Sequence, residues 1–392
     1  VRKRYGPLRF LRRWVARDAI ALLVLAVAAC SSGGDDAAPS ASAASPPAAA
    51  QPPTNATAGT PPSALFVLGD SLSDVGNAAA AADYVLNLPL DPPSVGLCNP
   101  TDVLLLRRRC DDLYYRQSRV SDGPVAVERL AAHLALGTLK PSLHVLPNQS
   151  SDGTVYAVAG AKARAAGDHD FARQVDWLLV RHAPLPADAV FVVMIGGNDA
   201  IDALQADIAN PTARPRPSAA IVTSATSVIA DQVERLLDFG ARRLVVANVP
   251  DLAALPAVRD AARASTDAAA VLAAASATSV AFNSALAAKL DAIEASRPRL
   301  SPTPPVIRRF DLQAALAAAR QALAASGSNA DDACFDSEFY RASSAAQRLF
   351  HPQCAPVVVD GAPRFAGFVF FDGIHPTGAG HAAIGDALSA LF

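Results

Sequence analysis

A three-layer α/β/α sandwich of flavodoxin-like type, built on a mostly parallel sheet, is the fold class this sequence predicts. Short apolar runs of strand length recur along the chain, apolar enough to be buried on both faces. Helical stretches separate them, and alternating βα units imply a parallel sheet covered by helices. Polar residues capable of chemistry fall just after the apolar runs, at the carboxyl ends of strands, where such sheets collect ligands.

The elements follow in order. Leu65–Leu68 is the first buried strand, and the chain then turns through Gly69–Asn77 into a helix beginning near Asp74. Ser121-Asp122-Gly123-Pro124 leads into a helix over Val125–Ala135. The strand Val155–Val158 precedes a helix over Phe171–His182, and Val190–Ile195 precedes one over Ala219–Phe239. Leu244–Val249 is followed by a long alanine-rich helix, Asp260–Ile293, read as a packed helix rather than a membrane span because charged residues interrupt it. Val306–Phe310 with helix Leu312–Ala325, and Phe368–Phe371 with helix Gly378–Leu391, complete the pattern.

The N-terminus reads as an address. Seven Arg or Lys residues against Asp18 occupy positions 1–29, and the eleven apolar residues Ala19–Ala29 precede Cys30. That run is too short to span a bilayer, which takes roughly 20 residues, and fits the apolar part of a secretory signal. Leu25-Ala26-Val27-Ala28-Ala29-Cys30 is similar to a bacterial lipobox, which implies lipidation at Cys30 and residence in the cell envelope, at the outer membrane given Ser31. Residues 31–62 are mostly Ser, Gly, Ala, Pro and Thr with almost no large apolar side chain, a composition that cannot offset ordering entropy and suits a tether. The expected organisation is therefore signal 1–29, lipidated Cys30 and linker 30–62, and one folded domain 63–392. The chain carries a net charge of −2, but without residues 1–29 it holds 27 basic and 35 acidic residues, a net of −8. That sign argues against nucleic-acid backbones as partners.

Two segments carry the chemistry. Gly69-Asp70-Ser71-Leu72-Ser73-Asp74 presents a serine on the turn leaving the first strand, and Asp372-Gly373-Ile374-His375-Pro376 presents an acid and an imidazole three residues apart. An unassisted serine hydroxyl is barely nucleophilic at neutral pH, and an imidazole oriented by a carboxylate is the usual remedy. The competing readings are a helix cap at Ser71 and a plain turn at Asp372–Pro376. Finding both motifs in one chain favours catalysis.

With these residues in view, the chain resembles the GDSL or SGNH hydrolases. Block I matches Gly69–Asn77, block II Tyr156-Ala157-Val158-Ala159-Gly160-Ala161, block III Ile195-Gly196-Gly197-Asn198-Asp199, and block V Asp372–Thr377. Many relatives carry paired glycines in block II, where this chain has Ala159-Gly160. Tyr114-Tyr115, Arg119, Ser121, Gly123, Pro124 and Glu128 also look like the family. The resemblance implies a serine esterase or lipase acting on small-molecule or lipid esters. Its triad would be Ser71, Asp372 and His375, and its oxyanion hole the Ser71 and Gly160 N–H groups with the Asn198 amide. Asp70, Asp74 and Asp199 are expected to hold loops. An acyltransferase or a polysaccharide O-deacetylase would use the same triad. A non-catalytic surface-binding lipoprotein is the alternative outside enzymology, and it gives no reason to keep these four side chains together.

The remaining signals are structural. Cys98, Cys110, Cys334 and Cys354 are an even set in an exported chain, open to three disulfide connectivities. The sequence-local pairs Cys98–Cys110 and Cys334–Cys354 fall in loop-like segments and are favoured. His133, His144, His169, His182, His351 and His381 show no metal-ligand spacing and read as helix-surface or packing residues. The serine acyl-enzyme chemistry that the resemblance implies calls for neither metal nor organic cofactor. No Gly-x-Ser-x-Gly elbow and no phosphate-binding loop occurs. The long connection Asp83–Val120 reads equally as a hydrophobic wall for an acyl chain and as an insertion stabilised by a Cys98–Cys110 disulfide.

Overall fold

The computed structural model describes residues 61–85, 119–147, 149, 151–297, 305–334, 351, 353–354, 357–359, 362–365 and 367–392. The expected signal, Cys30, the tether, the Cys98–Cys110 pair, and Leu104–Leu106, Tyr114 and Tyr115 of the Asp83–Val120 connection lie outside the described residues.

Four of the expected strands form one sheet, although the edge strand Val306–Phe310 is apolar only in part and buries Phe310 alone, not both faces as expected. β1 (Leu65–Gly69), β2 (Val190–Met194), β3 (Arg243–Ala247) and β4 (Val306–Phe310) lie in that spatial order, every pair parallel. All residues of β1 and β2 are buried, as expected of strands covered on both faces. Residues 154–158 pair along the other side of β1, with Val67 donating to Thr154 O (3.0 Å), Tyr156 to Val67 O (2.6 Å) and Val158 to Gly69 O (3.1 Å). Counted along the chain, the five segments lie in the order 2-1-3-4-5, the flavodoxin-like arrangement. Its switch point falls between β1 and β2.

The helices cover the sheet in two groups, giving the three-layer α/β/α fold. In one, α2 (Ala126–His133) and α8 (Leu312–Ala325) pack on α9 (Gly378–Ser389). In the other, α5 (Pro217–Asp238) packs against α3 (Phe171–His182), α4 (Gly197–Ala209) and α7 (Ala268–Ser296), and α6 (Pro256–Arg263) lies on α7. A short helix α1 (Asn77–Val85) follows β1. In α3, Phe171, Val175, Leu178 and Leu179 recur with helical period and are all buried. Each such side chain contributes about 1.5–3 kcal/mol by leaving water.

Several elements depart from the sequence expectation. The single helix over Asp260–Ile293 is two, α6 and α7, separated at Ser265-Thr266-Asp267. Asp267 caps α7 by accepting from Ala270 N (3.0 Å), and Ser265 Oγ accepts from Asp267 N (3.1 Å), so local side-chain bonds outcompete helix continuation there. Charges do not interrupt α7 as expected: Ala268–Ala288 carries none, and by length and composition alone α7 could cross a membrane. It packs through Phe282, Leu286, Leu290 and Ile293 into the core. Helix α4 was not anticipated, because Gly196-Gly197-Asn198-Asp199 reads as a turn. The strand at Phe368–Phe371 is β8 (Phe368–Phe370), and it pairs not with the main sheet but in parallel with β5 (Asn329–Ala333), whose polar sequence gives no strand signal. β6 (Val357–Val359) and β7 (Ala362–Arg364) form a separate antiparallel pair. The expected Cys334–Cys354 disulfide is present beside β5, with Cα atoms 5.4 Å apart.

His381 on α9 is buried against α2, its Nδ1 accepting from Ala126 N at 3.3 Å. Burial, aided by the charge of His375, pushes its pKa down to about 3. The folded value lies below the unfolded one of about 6.5, so this imidazole contributes stability above pH 6.5 that is lost as pH falls toward 3. His381→Gln should remove that dependence. Urea unfolding of both proteins between pH 7 and pH 5 should show the wild type losing about 1.4 kcal/mol per pH unit more than the variant below pH 6.5. Parallel pH profiles would count against this assignment.

Candidate active site

The site begins where β1 ends. A Cβ at Gly69 would stand 2.2 Å from Met194 O, so only glycine lets β1 run this close to the end of β2. Gln174 of α3, wholly buried, clamps the same residue on both sides: Gly69 N donates to its Oε1 and its Nε2 donates to Gly69 O, both at 2.8 Å. The chain then turns at Asp70, whose Oδ1 accepts from Leu72 N (3.1 Å), and Ser71 stands on that turn. Ser71 does not cap a helix. Asp74 does that work, Oδ1 accepting from Gly76 N and Asn77 N (both 2.7 Å) and Oδ2 from Ala78 N (3.0 Å). Asp74 Oδ2 also accepts from Ala159 N (2.8 Å), which ties block II to block I.

The acid and imidazole arrive from β8. Phe371 N bonds to His375 O (2.8 Å) and Thr377 N to Val369 O (2.9 Å), closing a tight loop over residues 371–377. Asp122 braces it, accepting from Gly378 N (2.6 Å) and Phe365 N (2.8 Å), while Ser121 Oγ donates to Pro376 O (3.1 Å). Arg119 is held by a two-pronged ion pair to Glu128 (2.9 and 2.6 Å). Ala257 N of α6 donates to Gly373 O at 2.9 Å from the other side.

These supports bring Ser71, His375 and Asp372 into one chain of hydrogen bonds. His375 Nε2 lies 2.8 Å from Ser71 Oγ, and Nδ1 lies 2.8 Å from both Asp372 oxygens. Asp372 Oδ1 also accepts from Ile374 N (2.9 Å) and His375 N (2.8 Å). Burial opposes the Asp372 charge, but the His375 charge and these hydrogen bonds outweigh it and hold the carboxyl below its ordinary pKa. An ionised carboxylate only accepts, so His375 carries its proton on Nδ1 and leaves Nε2 to accept from the Ser71 hydroxyl.

Two more loops border Ser71. Block II ends at Gly160, exposed and in the left-handed region (φ +84°). Its neighbours are engaged, Ala159 N by Asp74 and Ala161 N by Val158 O (3.1 Å), whereas the amides of Gly160 and Ser71 have no partner among the described residues. Block III opens α4, and Asn198 Nδ2 donates one hydrogen to Ala161 O (2.9 Å), its second having no partner among the described residues. Asp199, fully buried, accepts from Ala163 N (2.7 Å) and Arg164 N (3.3 Å). Asp70, Asp74 and Asp199 thus all accept from loop N–H groups. Burial, together with the charge of Asp199, pushes Asp70 up to about 7 against the pull of Leu72 N–H and His375.

Gln174, Asp122 and Asp202 carry no motif and were missed in the sequence; their partners lie 105, 256 and 40 residues away along the chain. No cluster of His, Cys, Asp and Glu able to hold a metal occurs among the described residues.

A family model described as GDSL-like lipase/acylhydrolase matches residues 65–388. A comparison with curated proteins gave no match.

The Gln174 clamp makes a prediction. Gln174→Ala would orphan the buried Gly69 N–H and open a cavity under the nucleophile turn. Urea unfolding should show a loss of about 2–3 kcal/mol; a loss under 0.5 kcal/mol would mean that water or local relaxation replaces the clamp.

Proposed function

Since the chain belongs to the GDSL-like lipase/acylhydrolase family, we propose that it is a carboxylic ester hydrolase working through an acyl-enzyme on Ser71. The observation that carries this reading is the relay Ser71 Oγ, His375 Nε2, His375 Nδ1, Asp372, each link 2.8 Å.

The chemistry follows from the polarity of that relay. Ser71 Oγ attacks the ester carbonyl as His375 Nε2 takes its proton, and Asp372 stabilises the imidazolium so formed. The carbonyl oxygen becomes an oxyanion, and the free amides of Ser71 and Gly160 with the second Asn198 hydrogen are its donors. One such donor is worth about 3 kcal/mol of barrier. The imidazolium then protonates the leaving alcohol as the C–O bond breaks. In the second half His375 deprotonates a water that attacks the acyl-enzyme, and the proton returns to Ser71. Ester and water alone balance the sequence.

The lipobox-like segment ending at Cys30 supports a place in the bacterial envelope for this hydrolase, tethered by a lipid at Cys30 to the outer membrane and meeting small-molecule or lipid esters there. Mass spectrometry of membrane-extracted protein should find an acylated N-terminal Cys30, and Cys30→Ser should release the protein from membranes. Unmodified Cys30 in mature material would remove the anchor from this reading.

The catalytic roles are tested by substitution. Ser71→Ala should abolish both fluorophosphonate labelling and ester hydrolysis, with losses of several orders of magnitude, and His375→Ala should be comparable. Asp372→Asn should leave more residual rate, because it orients rather than reacts. Asn198→Ala should lower kcat by about 10²-fold with little change in KM. Near wild-type turnover in Ser71→Ala would sink the mechanism.

A further inference from the structure

Between Gly160 and α3, the chain from Ala161 to Arg164 is not left as free loop. Every one of its four residues is bonded to the first turns of α4. Ala161 O accepts from Asn198 Nδ2 (2.9 Å), and Lys162 Nζ donates to Asp202 Oδ2 (2.6 Å). Ala163 N donates to Asp199 Oδ2 (2.7 Å), while Arg164 bonds to Asp199 through its N–H (3.3 Å) and to Asp202 through Nη2. Arg164 Nε also lies 3.4 Å from Asp199 Oδ1. Asp199 is fully buried and the Asp202 side chain is 13% exposed, so these pairs are poorly screened.

This ladder joins the two segments that carry separate oxyanion donors. One rail begins at the Gly160 amide and the other at the Asn198 side chain. The sheet relates them only through β1, because 154–158 and β2 are not neighbours but flank it on opposite sides, and the loops beyond the strand ends are set by their own contacts. We infer that Asp202, paired with Lys162 and Arg164, is a positioning residue that sets the distance between the Gly160 and Asn198 donors of the oxyanion hole. The inference rests on the acyl-transfer reading above and adds to it a residue one helical turn removed from the substrate. Asp202 sits at position i+4 from Asn198 on α4, so it acts through its partners and touches no reacting atom. An error near 1 Å in placing a catalytic group can cost about 10²-fold in rate, whereas ground-state ester binding is far less sensitive to the hole.

Asp202→Asn keeps the shape and removes the charge that holds both cations. It should lower kcat on a short p-nitrophenyl ester about tenfold with KM within twofold. Phenylboronic acid, which forms a tetrahedral adduct on Ser71 with an oxygen in the hole, should bind weaker by the same factor. In an Asn198→Ala background, where one of the two donors is already gone, Asp202→Asn should cost threefold or less. A purely structural role predicts instead an equal penalty in both backgrounds, or a loss matched by the unfolded fraction with boronate affinity per folded enzyme unchanged; either overturns the inference. Wild-type turnover in Asp202→Asn also overturns it while leaving the triad untouched. Wild-type turnover in Asn198→Ala would overturn the oxyanion reading on which it rests.

Discussion

Parallel pairing on both sides of β1 is the constraint from which the rest of this structure follows. Residues 154–158 lie on one side and β2 on the other, and the chain leaves these neighbours in different directions at their carboxyl ends. The crevice opened there receives the nucleophile turn from β1, Gly160 from one flank and Asn198 from the other. The close approach of Gly69 to Met194, with no room for a side chain, brings the nucleophile turn to the crevice floor. A larger residue at Gly69 would therefore disturb the sheet and the site together.

The acid–base pair comes from elsewhere, and this makes the site composite. Asp372 and His375 depend on β8, which pairs with β5 rather than with the main sheet, and on braces from Asp122 and Ser121. The Cys334–Cys354 bridge lies at the end of β5, where Cys334 N bonds to Phe370 O (3.1 Å), so the only covalent crosslink among the described residues sits beside the strand that delivers the histidine.

What the sequence made legible was local. Ser71, Asp372 and His375 each sit in a short motif at the end of an apolar run, and the buried strands β1 and β2 announce themselves as continuous Val, Leu and Phe. The errors came where a residue's meaning depends on a distant partner or on competition between local bonds. Asp267 breaks a run of alanines that propensity alone would join. β5 is polar because it lies half-exposed, with Asp331 and Asp332 paired to Arg259, Arg263 and Arg320 from helices α6 and α8. Gln174 looks like one more helical glutamine until Gly69 is found at its amide. Asp74 rather than Ser71 caps the turn, a choice invisible until the backbone N–H groups are placed. Buried carboxylates accepting backbone N–H groups are the recurring device of this site. Asp70, Asp74 and Asp372 accept from residues two to four ahead, where sequence gives a hint. Asp122 and Asp199 accept from distant segments that spacing does not reveal.

Ser71 and His375 stand 304 residues apart along the chain. Synthesis proceeds from the N-terminus, so the serine turn and both bordering loops emerge and can begin to fold long before the imidazole exists. During that interval the hydroxyl has no group to take its proton and is chemically inert. Packing of α9, which directly follows residues 371–377, is therefore what completes the hydrogen-bonded relay from Ser71 to Asp372. Until the last seventh of the chain is in place, Ser71 is an ordinary hydroxyl, a consequence imposed by chain order alone.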